Sequence, residues 1–317
     1  MTTITAPRPP SSISPTSSAG RRKVRNGVAT TLITASFLVA LIPLVWLLYT
    51  VISKGFSTIT HADWWTGTQR SISYTDPGGG AYHAIIGTLE QVALCALISV
   101  PIGLLVGIYL VEYGRGWLTR ITSFMVDILT GLPSVVAALF IYAVFVTTFK
   151  GHRAGWLVSL ALVMLMLPVI VRTTEEMLKL VPNELREASY ALGVRKWKTI
   201  LKVVVPTAFT GLITGVVLGI ARVAGETAPL LILVGYSGNL NTNLFNGFQG
   251  SLPGLINDQF SNIGNGKTYR LDNQGHRVLV HNYAPDRLWG TALTLIIIVM
   301  ALNLIARFIG RFNKVAQ

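Results

Sequence analysis

Six stretches of this sequence are apolar over roughly the length that crosses a bilayer: residues 28–52, 83–111, 123–149, 156–171, 207–236 and 288–308. In hydrocarbon each backbone N–H and C=O must find its partner within the chain, so every such stretch is expected to be a helix. The fold class that follows is an all-α polytopic membrane protein with six transmembrane helices. Of the 317 residues, 51% are hydrophobic and only 12% are charged, which argues against a large soluble core. The first stretch is too long, and begins too late after a Pro/Ser-rich tail, for a cleaved signal peptide, so it reads as a retained helix.

The formal charge of +13 suggests nucleic acid until the basic residues are located. With both termini in the cytoplasm, 17 of the 26 Lys and Arg fall in the N-terminal tail, the 112–122 loop, the 172–206 insert and the C-terminal end. Eight fall outside and Arg222 lies within a span, which is the asymmetry of a membrane protein rather than a nucleic-acid binder. The short external loop with Lys150, His152 and Arg153 runs against that topology. The expected organisation is a disordered tail over 1–27, a transmembrane domain over 28–310 with an external segment at 237–287, and a short tail over 311–317.

Cys95 is the single cysteine, so no intrachain disulfide forms, and it reads as a small core residue. There is no G-x-x-x-x-G-K-[ST] phosphate loop, no H-E-x-x-H and no C-x-x-C. ATP hydrolysis, a metal site and a cofactor held by this chain are therefore not expected.

Within the spans, Pro101, Pro133, Pro168 and Pro229 are expected to bend their helices, each removing one main-chain hydrogen bond. Gly103 with Gly107, and Gly211, Gly215 and Gly219, form small-residue strips that let another helix approach closely. Asp127 suits a structural salt bridge, and Glu90 suits contact with interfacial water. Trp64 and Trp65 suit the headgroup level or an external partner. Thr268 to Val280, around Asn273-Gln274-Gly275, reads as a hairpin, either a surface insertion or an added partner contact.

Arg222 and Glu226 stand four residues apart in the fifth span and are expected to share one helix face. Charges at this depth cost several kcal/mol and point into a bundle. Two roles suit them: a buried ion pair that locks helices together, or a path in which an anion replaces Glu226 as the partner of the arginine fork.

Between the fourth and fifth spans lies a charged insert. Pro182 stops a first helix, Asn183 is placed to cap a second with Leu185, Ala188 and Leu192 on one face, and Gly193 ends it. Trp197, Ile200, Leu201 and Val204 then recur at helical spacing opposite Arg195, Lys198 and Lys202, as in a helix lying in a membrane interface. A docking device and a plain basic amphipathic loop both suit this pattern.

The residues Glu187-Ala188-Ser189, Gly193 and Val203-Val204-Val205-Pro206 resemble the EAA loop of permeases in binding-protein-dependent ABC importers, with Ser189 in place of the second alanine. The runs Asp127 to Ser134, Leu167 to Glu176 and Ala221 to Leu231 resemble phosphate permeases of the PstA type, over about residues 85–234. This resemblance implies the fold of type I ABC importer permeases. It also implies a cell-membrane phosphate permease subunit with four kinds of partner: a homologous second permease, two ATPase subunits that use the ATP, an extracytoplasmic phosphate-binding protein and the lipid bilayer. By the same resemblance Glu187, Ala188, Ser189 and Gly193 dock the ATPase, and Arg222 and Glu226 serve transport. Another oxyanion such as molybdate or sulfate, or a membrane-embedded enzyme using Glu226 or Asp127 as a base, remain as alternatives.

Overall fold

A computed structural model describes residues 18–264, 268–271 and 276–312. Residues 1–17, 265–267, 272–275 and 313–317 lie outside the described residues, and with them the Asn273-Gln274-Gly275 stretch read above as the centre of a hairpin. The chain forms two units, 1–50 and 51–317. The first unit is the greater part of helix α1 (Ser18–Ile59), whose membrane-length window has no buried residues. Residues 18–27, placed in the disordered tail by composition, belong to this helix. Arg22, Lys23 and Arg25 are polar enough for water yet carry long aliphatic stems, so they extend the apolar helix by a few turns at little cost.

The second unit begins with the end of α1, then α2 (Ala62–Thr66), α3 (Tyr82–Ile108) and α4 (Trp117–Thr130). It continues with α5 (Ser134–Ile141), α6 (Gly155–Lys179), α7 (Asn183–Ala191) and α8 (Lys196–Thr199). The remaining elements are α9 (Val205–Ala224), α10 (Ala228–Leu233), α11 (Leu252–Ser261), the strands β1 (Thr268–Leu271) and β2 (Arg277–Val280), and α12 (Ala284–Phe312). Wider π turns extend α3 through Tyr113 and α5 through Thr148, and join α8 to α9 across Ile200–Val204. Among the described residues five helices are long and apolar enough to cross a membrane, or six if the bent pair α4 and α5 counts as one span.

That pair is bent by 106° across the break at residues 131–133. Pro133 and Pro229 both stand at helix breaks, whereas Pro101 and Pro168 lie inside the uninterrupted helices α3 and α6. The chain breaks where a glycine precedes the proline by a few residues, at Gly131 and Gly225, and stays helical through Pro101 and Pro168. A lone proline removes one hydrogen bond, which the flanking turns survive; Gly131 and Gly225 add backbone freedom at the same point.

Helix α6 is the centre of the unit. Its buried Leu157, Val158, Ala161, Leu162, Leu165, Met166 and Ile170 pack with Val92 and Cys95 of α3, Ala137 and Ala138 of α5, and Val223, Leu230 and Leu233. Cys95 sits in this core as expected, its Sγ 3.6 Å from Met166 Sδ. The small-residue strips are what allow the approach: a Cβ on Gly103 would lie 2.7 Å from Ile170 Cγ2, and one on Gly219 3.3 Å from Met166 Cγ.

A second cluster closes the end of the bundle where α2, α11 and the hairpin lie. Trp64 is 2% exposed among Ala81, Ala84, Leu252 and Leu255, and its indole Nε1 donates to Thr294 Oγ1 at 2.9 Å. It is a core residue there, because Thr294 offers the partner its N–H needs; only Trp65 stays partly exposed. The hairpin forms as expected, antiparallel, with Thr268 opposite Val280 and Leu271 opposite Arg277.

Candidate functional site

The charged pair of the fifth span does not share one helix face. Helix α9 ends at Ala224, and Glu226 stands in the break before α10, its N–H bonded to Val223 O at 3.2 Å. The cause is Pro229, one of the first residues of α10, which has no N–H to offer the Gly225 carbonyl, together with Gly225 itself. Arg222 is exposed and Glu226 partly so, and among the described residues neither side chain has a hydrogen bond or ion pair. The buried ion pair considered above is thus absent among the described residues, and Arg222 lies on the exposed side of α9 without a hydrogen-bond or ion-pair partner there.

The exposed residues of α9 repeat along that same side: Thr207, Thr210, Thr214, Leu218 and Arg222. The opposite side, with Ala208, Leu212, Gly215, Gly219 and Val223, is buried. The hydroxyls of Thr207 and Thr214 bond the carbonyls four residues back at 2.6 and 2.8 Å, so they are satisfied without a neighbour.

Asp127 forms the salt bridge expected of it. Arg172 of α6 bonds Asp127 and, at 3.0 Å, Ser123 Oγ, both on α4, and it also meets Glu175 Oε2 at 2.5 Å. Lys179 completes the chain on Glu175 at 2.7 Å. The helix carrying these charges is continuous from the apolar core to Lys179, so the insert is rigidly joined to α6, as its sequence indicated.

Helix α7 presents the insert. It starts at Asn183 without a side-chain cap, and Asn183 Oδ1 instead accepts from Arg186 Nη1 at 3.3 Å. It ends in two bonds that require a left-handed residue, Gly193 N to Tyr190 O at 2.9 Å and Val194 N to Ser189 O at 3.2 Å. Gly193 supplies that geometry with φ +74°. Glu187, Ala188 and Gly193 are exposed, as are Leu185 and Leu192, the latter 83% exposed.

Ser189 does not share that surface: it is 8% exposed and bonds Thr199 Oγ1 at 2.8 Å. The spacing that places Ala188 outward rotates the next residue inward by about 100°. Nor does α8 lie apart as an interfacial helix. It runs through the π turn into α9 as one rod from Lys196 to Ala224, with Ile200 and Val204 buried and Trp197 and Leu201 exposed. Pro206 in the first turn of α9 fits without breaking it, since the wider turn before it already lacks the regular bond.

Two polar junctions were not legible in the sequence. Arg186 of α7 points inward: its Nε donates to Glu112 Oε1 at 3.0 Å, Nη1 to Val181 O at 2.6 Å and Nη2 to Leu178 O at 2.9 Å. At the other end of α3, Gln249 donates to Glu90 Oε2 at 2.5 Å and accepts from Gln91 Nε2 at 2.9 Å. Glu90 thus holds a side chain of the 237–251 segment instead of only meeting water. Nothing in local spacing signals either junction, because the partners are 74 and 158–159 residues apart.

A bundle around one central helix, a bent span and a charged insert carried on two membrane helices define the membrane subunit of a transporter. The same fold occurs in a chain of a bacterial alginate ABC transporter, solved with an alginate-bound periplasmic protein, with TM-score 0.61 and 12% identity over 94% of this chain and 99% of that one. The chain belongs to the family of binding-protein-dependent transport system inner membrane components, whose family model matches residues 99–313. It is 50% identical over 289 residues to the phosphate transport system permease protein PstA 1 of Mycobacterium tuberculosis, covering 91% of this chain and 90% of that protein. It is likewise 50% identical over 285 residues to the phosphate transport system permease protein PstA of Mycobacterium leprae, covering 90% and 88%.

Proposed function

We propose that this chain is a permease subunit of an ATP-driven inorganic phosphate importer, with Arg222 and Glu226 on the substrate path. The carrying observation is the unpartnered Arg222 at a helix break, in a chain half identical to proteins named phosphate transport permeases over nine-tenths of its length. An arginine facing lipid near the bilayer centre would cost about 3 kcal/mol on insertion scales, so its side of α9 faces water or a partner. A phosphate oxyanion matches the planar donor fork. The break leaves Glu226 close in sequence without satisfying the fork, so an arriving anion need not displace an existing ion pair.

In this reading the termini and the insert are cytoplasmic, and the hairpin end faces outward to a phosphate-binding protein. The chain itself is non-catalytic: two ATPase subunits use the ATP and dock on Leu185, Glu187 and Ala188 of α7 and on Leu192 just past it, with Gly193 shaping the end of that surface. A homologous second permease closes the other half of the path. The test is radiolabelled phosphate uptake in cells lacking this chain, complemented with wild type or Arg222→Ala, with sulfate and molybdate as competitors. Wild type is expected to restore uptake that neither competitor reduces. Arg222→Ala is expected to assemble but to lose at least tenfold in uptake, the effect of removing about 1.4 kcal/mol or more of charge-assisted binding. Uptake suppressed by sulfate or molybdate would move the assignment to that oxyanion.

A further inference from the structure

We infer that α3 is the rod that carries motion of the docking helix across the membrane, jointed to the insert by Glu112 and Arg186 and to the 237–251 segment by Glu90, Gln91 and Gln249. This rests on the transport reading above. Sequence adjacency alone routes motion of α7 into α6 and α9, its chain neighbours. The structure adds a third connection, to a helix that lies far away in the chain.

The inner joint is tightly built. The Arg186 and Glu112 side chains are 13% and 5% exposed, and the guanidinium also holds the carbonyls of Leu178 and Val181, at the end of α6 and just past it. Lys196 of α8 grips the same point from the other arm of the insert, bonding the Glu112 carbonyl, with its ammonium 4.8 Å from the Tyr113 ring. Glu112 lies in the π turn that ends α3, where one extra residue per turn aims its carboxylate at the insert. Displacing α7 while α3 stays still would strand a buried guanidinium and a buried carboxylate, so the two move together.

The shaft is stiff. Gly103 and Gly107 seat α3 directly on α6, with no room for a Cβ between Gly107 and Thr174 Cγ2 at 2.5 Å. Gln91 and Glu112 are 21 residues apart, about 30 Å along a helix, which is the hydrocarbon thickness of a bilayer. At the far joint Gln249 is 1% exposed, Leu252 N bonds Thr88 Oγ1 at 2.9 Å, and Ser159 Oγ bonds the Gln91 carbonyl at 3.0 Å. The 237–251 segment follows α10, which itself follows the Glu226 break, so displacement of α3 reaches the break from its outer side.

The experiment uses the transporter purified with its partner subunits and reconstituted in phospholipid vesicles, reading ATP hydrolysis with and without phosphate-loaded binding protein. In Glu112→Gln the ATPase is expected to copurify and hydrolyse at its basal rate, while stimulation by loaded binding protein falls on the order of tenfold. Glu112→Asp, which keeps the charge, is expected to retain more of the response. Gln91→Leu cuts the opposite joint, far from the ATPase, and is expected to show the same loss of stimulation. Wild-type stimulation in either Glu112→Gln or Gln91→Leu would overturn the inference, and Gln91→Leu decides alone if the other variant fails to assemble. A wild-type transporter that takes up no phosphate would instead overturn the transport reading.

Discussion

Arg222 and Asp258 show how one residue's surroundings set its chemistry. Arg222 has no partner in the described chain, and its loss is expected to remove uptake and leave assembly intact. Asp258 of α11 is partly buried, and that burial raises its pKa above the ordinary carboxylate value against weaker opposing effects of Gln259 and Arg287. A carboxyl raised in the folded state binds its proton more tightly there than in the unfolded chain. Its contribution to stability is therefore fully present below the unfolded value and is lost as pH rises through the folded one. The Asp258→Asn variant is expected to remove that loss, so that its thermal midpoint in detergent falls less than wild type's over the window that opens at the ordinary carboxylate value and runs upward. Parallel midpoints for the two proteins across that window would remove the burial argument. At this scale type and spacing singled out Arg222, Glu226, Glu187, Ala188, Ser189 and Gly193, and the structure leaves all but Ser189 at least partly exposed. Which way a side chain faces on a short helix depends on what that helix packs against.

Among the elements, α6 is held by glycine contacts on two sides. Gly107 has no space for a methyl group against Thr174, with the Val171 carbonyl a further neighbour at 3.2 Å. The Gly107→Ala variant is expected to lose about 1–3 kcal/mol through forced separation of α3 and α6, read as a lower midpoint of the solubilised protein. At Gly225 an added methyl group would meet nothing within 4 Å, and φ is an ordinary −98°, so Gly225→Ala is expected to leave that midpoint nearly unchanged. Equal effects from both variants would refute the contact argument. The small-residue strips were legible because close helix approach has a compositional signature. The breaks were only half legible, since Pro133 and Pro229 interrupt helices while Pro101 and Pro168 do not. Each proline removes one main-chain bond, and the two sites that open are those with a glycine a few residues before the proline.

For the whole molecule, the base of the hairpin is closed independently of its strands. Asn282 Nδ2 bonds the carbonyls of Asn262 and Ile263 at 3.0 and 2.9 Å, tying together the chain on either side of the insertion. Replacing residues 265–280 with a short Gly/Ser linker is expected to leave expression, thermal midpoint and phosphate uptake near wild type, because loop closure costs little there. A selective loss of binding-protein stimulation would instead make the hairpin a partner contact. What the sequence determined by itself is the part fixed by the solvent and by local spacing: membrane helices, because hydrocarbon forbids unpaired backbone groups, the exposed turn that ends α7, because Gly193 adopts a left-handed conformation, and the hairpin. What only the tertiary structure decided is which charges meet. The junctions of Glu112 with Arg186, and of Glu90 and Gln91 with Gln249, join residues remote in the chain, and a pairing across that distance exists only once the helices have packed.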